Sequence, residues 1–249
     1  MARRRPRLLL VPAFTELQWT IKAQLEEWAQ VASYDPPGVG SEPPPAGLEP
    51  EHPGLLREWR RAAAERGLAE VDRLGWESFF LVADGEGVAT AVLIAEARLC
   101  AVQGLALGHA ALSRSTHGER PAINREVWSA MGALLRTDRQ AFIRHGIAQV
   151  TSGSVTEEHA AMMVERFPNS DLAVLLWDAL GMEREPIGDR IDTLELPLLL
   201  GQHVGCLGST DEGYRDIVAR FPEAATASCP EACSVSPTFA EALRGFCTG

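Results

Sequence analysis

The sequence predicts an α/β fold: a mostly parallel sheet of about six strands, helices on both faces, and a helical cap insertion. Two patterns lead there. Short apolar runs alternate with longer segments whose apolar residues recur at helical spacing, and strands separated by helices imply a parallel sheet covered on both sides. One block, residues 112–190, breaks this rhythm by reading as helix throughout. It is expected as a cap over the carboxyl ends of the strands. The core is then 1–111 together with 191–249.

The elements follow in order. RLLLVPA (7–13) is an apolar, strand-like run, and LQWTIKAQLEEWA (17–29) has apolar groups at helical spacing. QVASYD (30–35) reads as the second strand. DPPGVGSEPPPAG is dense in Pro and Gly and reads as loop. A helix charged on one side is expected over Leu55–Leu74. Phe79–Ala83 is a strand, Val88–Ala97 a helix, and AVQGLALGHA (101–110) a strand. Residues 121–182 carry helical patterns broken near Gly153 and Pro168. LPLLLG (196–201) restores a strand, Asp211–Phe221 a helix, AATASC (224–229) a short strand, and Pro237–Phe246 a closing helix.

Composition narrows the function classes. The 249 residues suffice for one large core. Apolar content of 46% is ordinary for a globular protein. No apolar stretch reaches the roughly 18 residues of a membrane span. Pro12 and Glu16 cut short the apolar run after the basic start, so a signal peptide is not expected, and a cytoplasmic location is. A net charge of −11 argues against broad nucleic-acid binding. The five cysteines are an odd number for a disulfide framework. Cys229 and Cys233 lack two further ligands at zinc spacing, so neither a metal nor a cofactor is expected.

Residues 78–94, SFFLVADGEGVATAVLI, read as apolar strand, small-residue turn and apolar helix. This is the pattern of a nucleophile elbow, G-x-S-x-G, here Ala83, Asp84, Gly85, Glu86 and Gly87. Three other segments keep it company: LLLVPAFTELQWTIKAQLEEWA; the turn YDPPGVGSEP with Asp35, Pro37, Gly38, Gly40 and Ser41; and the ending SPTFAEALRGF. In this order and spacing the chain resembles the α/β-hydrolase fold family over nearly its full length. The turn is similar to the family's D-x-P-G-x-G-x-S, and the ending to its P-x-x-F-x-x-x-L-x-x-F helix with one residue fewer after the proline. Against the family pattern the chain starts at the usual third strand.

The resemblance implies a nucleophile, an acid and a histidine, with backbone N–H groups for an oxyanion. Gly85 stands in the nucleophile slot and has no side chain. Val204 stands in the acid slot after LPLLLG. SCPEACSVSP (228–237), where the histidine belongs, contains none. A serine-type triad is therefore not expected. Asp84 could replace the nucleophile only if position 86 were small, and it is glutamate. Asp84 and Glu86 otherwise read as charges favouring the start of the helix.

His109 and His203 follow expected strands at the carboxyl edge, where ligands bind in open α/β sheets. With Asp84 or Glu86 they are the acid/base candidates. Phe14 and Thr15 follow the first strand, in the loop that supplies an oxyanion N–H in the family. Trp128 and Trp177 lie in the helical insertion and could line an apolar pocket below the cap. Cys229 reads as a small buried residue. The expected function is non-hydrolytic binding of a small apolar ligand by Phe14, Thr15, Gly85, Glu86, His109, Trp128, Trp177 and His203, with a homodimer left open. The alternatives are a lyase, cyclase or isomerase using Asp84, Glu86, His109 or His203, and an ordinary hydrolase whose triad lies elsewhere.

Overall fold

Every apolar run expected to form a strand does so, in one sheet of six parallel strands. The computed structural model describes residues 5–13, 20–40, 42–45, 54–108, 125–147, 157, 161, 164, 170–182, 187–204 and 211–249. The strands are β1 (Arg7–Val11), β2 (Gln30–Ser33), β3 (Phe79–Asp84), β4 (Val102–Gly108), β5 (Leu198–His203) and β6 (Ala225–Cys229). Their order is β2-β1-β3-β4-β5-β6. Central strands are apolar at nearly every position because both sheet faces are covered. β3 is buried from Phe79 to Ala83, whereas the edge strands β2 and β6 alternate with exposed residues.

The helices are α1 (Lys22–Glu26), α2 (Leu55–Arg73), α3 (Gly87–Ala97), α4 (Arg125–Thr137), α5 (Arg139–Ala141), α6 (Ser170–Met182), α7 (Ile187–Asp192), α8 (Asp211–Arg220) and α9 (Pro237–Thr248). The period-2 alternation of strand side chains sorts the core into two layers. Leu9, Leu81, Ala83 and Leu107 face α2, α3 and α8. Leu8, Leu10, Val82 and Ala106 face α1 and α9, where Phe239 and Leu243 are fully buried.

Between β4 and β5 the described residues are helical except for Asp138 and 193–197. Phe142–Ile147 forms a π-helical turn that the sequence did not announce. The expected breaks near Gly153 and Pro168 lie outside the described residues. Met131, Leu135, Phe142, Leu176 and Trp177 gather into a third apolar cluster with Leu55, Leu56 and Trp59 from the first turns of α2. Phe142 and Trp177 meet edge to face at 5.2 Å between ring centroids. In a parallel sheet the connecting helices start at the carboxyl edge, so this cluster packs at that end of α2.

Two boundaries differ from expectation for identifiable reasons. β5 begins at Leu198 rather than 196, because Pro197 has no N–H to give the ladder and contributes only its carbonyl, which accepts from Leu105 N at 2.9 Å. α1 ends at Glu26 rather than 29, because Gln30 N must reach Pro6 O at 2.8 Å to start β2.

Candidate functional site

The junction of β3 and α3 is built by two glycines with different tasks. Gly85 has φ +55°, a left-handed conformation that costs other residues about 1–2 kcal/mol. Its N–H donates to Gly108 O at 3.1 Å. A Cβ placed on Gly85 would meet nothing within 4 Å among the described residues. Gly87 is the opposite case: its Cβ would lie 2.8 Å from Val11 O. The first turn of α3 therefore rests directly on the end of β1, and only glycine fits there.

Asp84 does not favour the helix as the sequence suggested. It ends β3 on the α1/α9 side of the sheet, opposite in direction to Ala83. Its Oδ2 accepts from Ser234 N at 2.9 Å. Asp84 thereby ties β3 to the 3-10 turn Cys233–Val235 that follows β6. Its Oδ1 is buried without a hydrogen-bond partner among the described residues. Glu86 is the N-cap residue of α3, but its side chain makes no capping hydrogen bond.

His203 is the last residue of β5, stands opposite Cys229 of β6, and is 3% exposed. Val204 follows it, 48% exposed at the carboxyl edge, and its N–H donates to Cys229 O at 2.8 Å. Trp177 is buried among the helices packed on α2. Trp128 lies on α4. Phe14, Thr15 and His109 lie outside the described residues. The structure thus gathers Gly85 and Glu86 at one turn, and places Asp84 below it and His203 at the end of β5, across the intervening β4.

The turn DPPGVG also takes its expected form. Gly38 and Gly40 have positive φ, and Trp59 Nε1 donates to Pro37 O at 2.9 Å. A Cβ on Gly38 would fall 2.3 Å from Leu172 Cδ2, so this loop sits tightly against α6.

The end of β6 and the segment after it hold a cysteine pair that the sequence offered for zinc only without enough ligands, with Cys229 otherwise expected to be a small buried residue. Cys229 and Cys233 are both buried, with their sulfurs 3.9 Å apart. The hydrogen bond with Cys233 draws the Cys229 thiol below its ordinary pKa, against the opposing effects of burial and of Asp84 and Glu231.

Six parallel strands in this order, helices on both faces and a glycine turn between the third strand and its helix define the α/β-hydrolase fold. Solved structures agree. An enol-lactonase from Burkholderia xenovorans LB400 superposes with a TM-score of 0.72 at 17% identity, covering 99% of this chain and 92% of its own. A 2-hydroxy-6-oxo-6-phenylhexa-2,4-dienoate hydrolase from Rhodococcus sp. strain RHA1 gives 0.72 at 15% identity over 90% and 82%. An α/β hydrolase from a Medee basin deep-sea metagenome library gives 0.70 at 12% identity over 99% and 90%. At these identities the likeness is one of fold. No family model matches the chain, and no curated protein matches it.

Proposed function

We propose that this chain is a non-hydrolytic member of the α/β-hydrolase fold that holds a small, largely apolar ligand at the carboxyl edge of its sheet. Residues 112–190 act as a cap over that edge. Gly85 and Glu86 form the floor, with Phe14, Thr15, His109 and Trp128 around it. Trp177 supports the cap through Phe142, and His203 closes the β5 side. One observation carries this reading: the position that would present a nucleophile is Gly85, which has no side chain and holds the required left-handed turn. Val204 and the histidine-free segment 228–237 support it at the two other triad places. Without an oxygen at 85 and a base to activate it, acyl transfer through this elbow has no first step.

The experiment is to expose the pure protein to a fluorophosphonate probe and a panel of short-chain esters, and to follow binding of small apolar ligands by thermal shift. We expect no labelling, ester turnover at the buffer rate, and saturable stabilisation by at least one ligand class. Stoichiometric labelling abolished by mutating one serine would overturn the reading. It would favour an ordinary hydrolase, a reading supported by the hydrolytic names of the structural neighbours. Turnover without labelling, lost on alanine substitution at Glu86, His109 or His203, would favour a lyase, cyclase or isomerase.

A further inference from the structure

We propose that Cys229 and Cys233 form a reversible intrachain disulfide that joins the end of β6 to the turn after it. The geometry prepares both thiols. Cys229 is held as the last residue of β6 by the hydrogen bond from Val204 N to its carbonyl. Cys233 is seated on the sheet edge over two glycines. A Cβ on Gly108 would fall 2.4 Å from Cys233 Cβ, and one on Gly201 would fall 2.6 Å from Cys233 Sγ. Larger residues at either place would push the thiol away from its neighbour. The sulfurs stand 3.9 Å apart and must close to about 2.05 Å, a small displacement within the short segment 230–232. Pro230, between the two cysteines, is itself exposed.

The oxidant is a small peroxide, which fits a buried site where a bulky disulfide reagent does not. The thiolate of Cys229, whose pKa lies below the ordinary thiol value, attacks one peroxide oxygen. An S–O bond forms, the O–O bond breaks, and the leaving hydroxide takes a proton to become water. Cys229 is then a sulfenic acid. The Cys233 sulfur attacks Cys229 Sγ; the S–S bond forms, the S–O bond breaks, and the departing hydroxide takes the Cys233 proton as a second water. Two thiols and one hydrogen peroxide give one disulfide and two waters. A thiol reductant reverses the change. None of this depends on what the elbow binds.

The test uses the full chain, treated in its folded state with hydrogen peroxide, then denatured, alkylated and digested with trypsin. Cleavage after Arg220 and Arg244 releases one peptide, residues 221–244, holding Cys229 and Cys233 and no other cysteine. We expect this peptide to lose the mass of two hydrogens and refuse alkylation, then to accept two alkyl groups once dithiothreitol has been added. Exposed Cys100 serves as the internal dose control. The proposal is overturned if the peptide still takes two alkyl groups at a dose that oxidises Cys100. It is equally overturned if its sulfurs gain oxygen without the loss of two hydrogens.

Discussion

Gly85 offers no side chain at the apex of the elbow, and its backbone can be tested directly. It keeps the left-handed turn, and a Cβ there meets none of the described residues within 4 Å. Among the described residues, then, a substitution meets the backbone cost alone. Gly85→Ser is therefore expected to lower unfolding stability by about 1–2 kcal/mol, the cost of a left-handed conformation for a non-glycine residue. It should leave ester turnover at the buffer rate, because Val204 is no acid and residues 228–237 hold no histidine. Urea denaturation and an ester assay on the same preparation check both halves. Unchanged stability would mean that the turn relaxes away from φ +55°. Asp84 shows the limit of reading at this scale. Sequence position put it at the mouth of α3, but strand alternation turns its side chain to the other face, where the Ser234 N–H lies 150 residues away along the chain. No local pattern announces a partner that distant.

At the scale of elements, most of the architecture was legible because burial on both faces of the central strands writes itself as largely apolar runs. The central strands fall on such runs, the edge strands β2 and β6 on short stretches mixed with polar residues, and the closing helix falls where Pro237 supplies its first turn. What was not legible came from contacts between elements. The length of α1 follows from the need to return to β2 at Gln30. The π-helical turn at Phe142–Ile147 follows α5, which Asp138 opens by accepting from Ala141 N at 2.9 Å. The small residue required at the fifth place of the elbow was readable, and the reason is now geometric: α3 crosses the end of β1 with no space at Gly87. Gly87→Ala should cost about 1–3 kcal/mol, since the opposing atoms, Val11 O and Pro12 O, are backbone and cannot swing aside. The same measurement on Gly75→Ala separates the two effects. Gly75 has φ +63° and nothing among the described residues within 4 Å of its Cβ position, so it reports backbone strain. A Gly87→Ala variant as stable as the parent would mean that the helix stands off the strand.

For the whole molecule, the scaffold could be read from sequence, whereas the ligand proposed for the carboxyl edge could not. The shape of a cavity arises from residues scattered along a chain and is carried by no spacing. The sequence drew attention to Cys229 and Cys233 together, but not to their contact, because four residues of separation mean contact only once β6 ends and the chain turns back. Molecule-wide stability carries its own signature at high pH. Burial, with Cys233 and Cys229 adding to it, pushes the Tyr214 hydroxyl from its ordinary 10.0 to about 12, and it donates to Leu200 O at 3.2 Å. Burial pushes the Cys247 thiol from 9.0 to about 12. Both groups keep their protons longer folded than unfolded. Between pH 9 and 12 the unfolded chain therefore binds fewer protons, and stability must fall as pH rises. The stabilisation is complete below the unfolded values and is lost as pH passes up through the folded ones. Cys229 is shifted the other way, so its contribution is already complete above 9.0 and adds no slope there. Lys22 is the sole lysine, which leaves few other groups titrating in this window. Urea midpoints measured at steps above pH 9 should decline steadily, and Tyr214→Phe should flatten the upper part of that decline. A midpoint independent of pH across this window would mean that neither group is held from solvent as the fold requires.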